Sequence, residues 1–138
     1  MRYALFFAVL VGVGFQTLPA HVEAFDITPG KWRFEYESRA SFQPQPQTRA
    51  DTQCVTEPNW DPTASITKSG DCRLSNIAQD TTSFSGTLTC SRGQGNPPMT
   101  GSISYTSTGA TLTGRTAFKG EGYEMEMKTS GTRIGECD

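Results

Sequence analysis

The sequence predicts an all-β domain: an antiparallel up-and-down meander of about seven strands, curved into a half-open or closed small barrel, with one short connector helix. Three observations lead there. Large apolar residues alternate with polar ones at period two through most of the chain beyond residue 30. Clusters of Gly, Pro, Asn, Asp and Ser punctuate that alternation at turn positions. Glycines at 86, 101, 114 and 131 fall inside the alternating segments, where they mark bulges or tight bends and so a strongly curved sheet.

The chain of 138 residues is long enough for one domain behind a leader. Arg2 and the amino terminus precede an uncharged apolar stretch from Tyr3 to Phe15, then Pro19 and Val22-Glu23-Ala24. Residues 1–24 are expected to be a signal peptide cut between Ala24 and Phe25, with a cut after Ala20 as the alternative. The apolar stretch is shorter than the roughly 20 residues that span a bilayer, so no membrane span is expected after cleavage. Residues 25–138 then form the single mature domain. Removing Arg2 and Glu23 together leaves the net charge at −2, which argues against a nucleic-acid or anionic-membrane surface. His21 is the only histidine and leaves with the leader. The mature chain therefore has no histidine base and no imidazole metal ligand.

The elements follow in order. Trp32-Arg33-Phe34-Glu35-Tyr36-Glu37 sets an aromatic face against a charged one, after Pro29-Gly30. Gln43-Pro44-Gln45-Pro46-Gln47 suits an exposed hairpin loop before a return strand from Thr48 to Val55. Asp61-Pro62 is an N-cap followed by proline at the first helical position, which places the short helix through Lys68, stopped by Gly70. Next, Cys72, Leu74, Asn76 and Ala78 share one face of a strand, and Phe84, Gly86, Leu88 and Cys90 share one face of another. A turn centred on Thr81 sets Cys72 opposite Cys90, Leu74 opposite Leu88 and Ala78 opposite Phe84. Met99, Gly101, Ile103 and Tyr105 face inward on the following strand, then Ala110, Leu112, Gly114 and Phe118, then Tyr123, Met125, Met127 and Thr129.

The four cysteines read first as disulfides, because an even number in a small exported chain usually pairs. No two of them have the close spacing of a zinc finger. Four cysteines allow three connectivities. The hairpin register selects Cys72–Cys90, which leaves Cys54–Cys137.

Several stretches, in this order, resemble a bacterial family of exported proteins catalogued as domain of unknown function 3617. They are Pro29-Gly30-Lys31-Trp32, Gln53-Cys54-Val55-Thr56, Cys72, Thr87-Leu88-Thr89-Cys90, Met99-Thr100-Gly101, and Gly131 through Cys137. Lys31 and Glu136 depart from the family's usual residues. The resemblance covers nearly all of the mature chain and implies an exported β domain of the bacterial cell envelope, periplasmic or secreted. It implies no activity.

No catalytic constellation stands out. Glu35 with Glu37, and Glu124 with Glu126, share strand faces as acid/base pairs do, but alternating charges are also the ordinary wet side of a sheet. Glu121, Glu124 and Glu126 lack the spacing of a calcium loop. Asp71 and Asp80 are turn residues, and Arg92-Gly93-Gln94-Gly95 lacks the lysine of a phosphate loop. Neither an enzyme nor a cofactor or metal site is expected. The suggestive feature is the inward face of Trp32, Phe34, Tyr36, Met99, Tyr105, Tyr123, Met125 and Met127, which either fills a core or lines a groove for an apolar small molecule or lipid. The alternative expectation is a structural or stress-related envelope protein that works through protein contacts.

Overall fold

A computed structural model describes residues 25–138 apart from 59, 62 and 65–69. The leader, with its expected cut at Ala24, lies outside the described residues. The rest is one antiparallel sheet of β1 (Gly30–Ala40), β2 (Gln47–Val55), β3 (Cys72–Gln79), β4 (Ser83–Cys90), β5 (Met99–Ser107), β6 (Thr111–Gly120) and β7 (Tyr123–Gly135). Its order is β2-β1-β7-β6-β5-β4-β3. Strands β3 to β7 form a meander, and the β1–β2 hairpin joins it through β1 against β7. The sheet does not close, and β2 and β3 are its free edges. Of the two curvatures expected, the half-open one is the structure.

No helix lies among the described residues. Asp61 does accept the backbone N–H of Thr63 at 2.8 Å, as an N-cap does. The helix expected from there through Lys68 falls largely outside the described residues. Among those described, no helix is long and apolar enough to cross a membrane.

The cysteine register is as expected. Cys72 faces Cys90 and Leu74 faces Leu88, and the disulfides are Cys72–Cys90 and Cys54–Cys137, spanning 18 and 83 residues. The third expected pair is corrected. Phe84 faces Gln79 and Ala78 faces Ser85, because the register shifts between Ser75 and Ala78. Asn76 takes φ 50 there, a left-handed conformation that asparagine tolerates better than most side chains. That bulge inserts a residue and turns Ile77 outward, 55% exposed.

The core is the inner face of the sheet. Trp32, Phe34, Leu88, Ile103 and Leu112 are all at most 2% exposed. Of the strand glycines expected to mark bulges or tight bends, Gly86 stands opposite the β3–β4 bulge, since its neighbours Ser85 and Thr87 pair with Ala78 and Ser75. Gly114 and Gly131 lie in regular pairings and do a different job. Gly114 sits directly under the Tyr105 ring, and Gly131 lies where an added Cβ would meet the Phe34 ring at 2.9 Å. Each sits opposite the row that carries a large aromatic side chain, and the missing Cβ lets that ring lie flat on the backbone. The true irregularities are the β3–β4 bulge and a shift between Lys31 and Trp32 in the β1–β7 pairing.

Replacing Gly114 with Val puts two methyl groups into the Tyr105 ring. It is expected to cost about 1–3 kcal/mol in urea unfolding, and a loss below about 0.5 kcal/mol would contradict the packing described. Removing the long bridge with Cys54→Ala and Cys137→Ala is expected to cost about 4.5 kcal/mol, against about 3 for Cys72→Ala with Cys90→Ala, since the longer loop restrains the unfolded chain more. Denaturant midpoints of the two double variants give the order.

Candidate functional site: the inner face of the half-barrel

The inner face begins as a ladder of rings on β1. Trp32, Phe34 and Tyr36 stand two residues apart on one side of the strand and stack at 5.9 and 6.4 Å between centroids. Beyond them the face continues through Gly131 and Thr129 on β7, Leu112 and Gly114 on β6, and Tyr105 and Ser107 on β5, each opposite the next in register.

Three residues outside the strands cover this part of the face. Phe25 and Ile27, both 2% exposed, come from the segment ahead of β1, and Trp60 comes from the β2–β3 connection. Trp60 lies parallel to Phe34 at 6.1 Å and meets the Tyr105 ring edge-on at 5.5 Å. Phe25 packs edge-on against Phe84 at 6.5 Å. The segment is laced down by its backbone. Asp26 N–H donates to Thr81 O, Ile27 N–H to Pro58 O and Thr28 N–H to Gly109 O, at 3.1, 3.1 and 2.9 Å. The Trp32 indole N–H returns a bond to Thr28 O at 2.8 Å.

The eight residues anticipated for a ligand face therefore divide. Trp32, Phe34 and Tyr105 are buried beneath that cover. Tyr36, Met99, Tyr123, Met125 and Met127 are half-buried. The register carries all but Tyr36 of this second group toward the end of the sheet that bears the β1–β2 and β6–β7 turns. Tyr123 donates to the Met125 sulfur at 3.3 Å and stacks on Phe42 at 5.6 Å, and Phe42 itself is 67% exposed. The covering residues Phe25, Ile27 and Trp60 were not anticipated as part of the site. Their signal was the apolar pair flanking Asp26 just ahead of Pro29-Gly30.

Glu35, Glu37, Glu124 and Glu126 sit on the opposite face, each with a cation. Arg33 pairs with Glu35 at 3.1 Å, Arg39 with Glu37 at 2.9 Å and Lys119 with Glu124 at 3.2 Å. Glu126 takes both Arg115 and Lys128. The Arg115 hydrogen bond, more than its charge, holds the Glu126 carboxyl below its ordinary range. Among the described residues, no three His, Cys, Asp or Glu side chains converge as metal ligands do. A cleft of about 800 Å³ crosses the middle of β2, β1, β7, β6 and β5, lined by Glu35, Glu37, Arg115 and Lys128 of the outward register and by Tyr36 and Tyr105 of the inward one. Asp80 is a turn residue, with the Thr82 backbone N–H first among the donors that lower its pKa.

The model of the family described as "Protein of unknown function (DUF3617)" matches residues 27–137. The chain belongs to this family. The match begins at Ile27 of the cover and ends on the second bridge, so it takes in the whole described sheet. No curated protein and no solved structure matches the chain.

Burial raises the Tyr105 phenol above its ordinary range, with the Thr129 hydroxyl pulling the other way. The fold thus favours the neutral phenol. The stability this contributes is whole below pH of about 10, where tyrosine ordinarily titrates, and is lost as pH rises through the higher folded-state value. Thermal melts in alkaline buffers are expected to show Tm falling less steeply in Tyr105→Phe than in the parent. Parallel slopes would mean that Tyr105 titrates as a free side chain.

Proposed function

We propose that the domain is an exported, non-enzymatic binding protein that takes an apolar small molecule or a lipid chain against the half-covered part of its inner face. The observation that carries this reading is the division of that face. One part is sealed by Phe25, Ile27 and Trp60, while Tyr36, Met99, Tyr123, Met125 and Met127 keep part of their surface in water. Methionine and tyrosine suit such a surface, since thioethers adapt to irregular ligands and the phenol tolerates water at its tip.

Two further features support the reading. A chain without histidine beyond residue 24, whose Glu35, Glu37, Glu124 and Glu126 are taken up by neighbouring cations, offers little for acid/base catalysis. The two disulfides fit an oxidising compartment outside the cytoplasm. A second reading, an envelope protein that works through protein contacts, draws on the open edges of the sheet.

Native mass spectrometry after incubation with an envelope lipid extract tests the proposal. Bound mass is expected in the parent and is expected to fall by about tenfold in Met125→Glu, since desolvating a carboxylate against an apolar ligand costs at least about 1.4 kcal/mol. An apo mass throughout the titration would sink the ligand reading and leave protein contacts.

A further inference from the structure

We propose that the protein forms a symmetric homodimer by pairing β2 with β2 of a second copy, antiparallel and centred on Ala50. β2 is an edge strand, exposed from Gln47 to Cys54. Every second backbone N–H and C=O on its free side is therefore open to a further strand. Its pairing with β1 runs without a register shift from Gly30–Val55 to Ser38–Gln47, so the free side is regular. The other edge differs. β3 carries the bulge at Asn76, and a bulge is a common way to keep an edge strand from accepting a partner. One edge is guarded and the other is not.

The sequence of the unguarded edge indicates what it accepts. Gln47-Thr48-Arg49-Ala50-Asp51-Thr52-Gln53 reads the same from either end except that Arg49 and Asp51 exchange. Two copies laid side by side and antiparallel are related by a two-fold axis perpendicular to the sheet. That axis keeps inner face beside inner face, so facing residues must share parity. With Ala50 opposite Ala50, Gln47 faces Gln53, Thr48 faces Thr52, and Arg49 of one copy faces Asp51 of the other, each pair occurring twice. Threonine pairs and opposite charges are favourable cross-strand neighbours.

The same charges reject the neighbouring registers. The smallest slip that preserves the faces sets Arg49 against Arg49 in one direction and Asp51 against Asp51 in the other, and like charges directly opposite are destabilising. Within one copy, Arg49 and Asp51 enter no ion pair among the described residues. Arg49 lies over the Tyr36 ring at 5.0 Å, and Asp51 accepts the Gln53 amide at 2.7 Å. Pro46, which has no N–H to give, ends the pairing segment on one side.

Sedimentation equilibrium on the disulfide-bonded protein over a concentration series tests the dimer. The parent is expected to associate reversibly. Arg49→Asp alone and Asp51→Arg alone each turn two attractive pairs into two repulsive ones, and each is expected to weaken association by about tenfold. The double variant Arg49→Asp with Asp51→Arg rebuilds the same pairs with the signs exchanged and is expected to return to within about threefold of the parent. That rescue separates pairing from any folding defect of the single variants. A parent that stays monomeric to its solubility limit, single variants that associate like the parent, or a double variant as weak as the singles would each overturn the proposal.

Discussion

The fold depends on β1 lying against β7. Every other strand pairing here joins strands adjacent in the chain, and a hairpin forms such a pairing locally. The β1–β7 pairing alone brings the β1–β2 hairpin to the meander, and it puts the aromatic ladder of Trp32, Phe34 and Tyr36 beside Gly131 and Thr129. Without it the ladder has no floor, Phe25 and Ile27 have nothing to cover, and Cys54 does not reach Cys137. The long disulfide reinforces this contact from outside the ladder. It ties β2, on one side of β1, to the tail that follows β7 on the other.

From that constraint the inner face acquires two characters. Where the rings of β1 meet Trp60 and the segment ahead of β1, close packing excludes water and stability dominates. Toward the β6–β7 turn the face is built from Met125, Met127 and Tyr123, which stay partly wet. Ordinary globular cores concentrate their large apolar residues in the dry region. A row of thioethers and a phenol at a wet margin therefore carries more functional information than the fully buried Trp32.

Much of this was legible in the residues. Period two placed the inner and outer registers correctly on β1, β5, β6 and β7, because alternation is enforced wherever one face is buried. The same logic found Cys72 opposite Cys90. It failed at Ala78, since a bulge shifts register without leaving a mark on alternation except an asparagine that tolerates positive φ. Nor does alternation say which strands are neighbours, so the approach of β1 to β7 was invisible. Gly86 does lie opposite the bulge, whereas Gly114 and Gly131 make room for a ring. A glycine that admits a ring from the next strand cannot be told from one that bends its own strand until the strand order is known. Trp60 sits outside any periodic segment, and Phe25 stands at the expected cleavage point, so alternation marks neither as part of the cover.

The two bridges impose a sequence of events on oxidation. Cys137 follows Cys54 by 83 residues, so Cys54 meets Cys72 and Cys90 well before its proper partner as the chain emerges. Cys54 and Cys72 are as far apart in sequence as Cys72 and Cys90, 18 residues, so loop length does not choose between them. The tight β3–β4 hairpin does, because it sets Cys72 directly opposite Cys90. Once that bridge has formed, both competing thiols are consumed and Cys54 has only Cys137 left to find. The local hairpin thus acts as an internal proofreader for the distant bridge. The sheet itself cannot be completed until β7 has arrived, since β7 alone joins the β1–β2 hairpin to the meander.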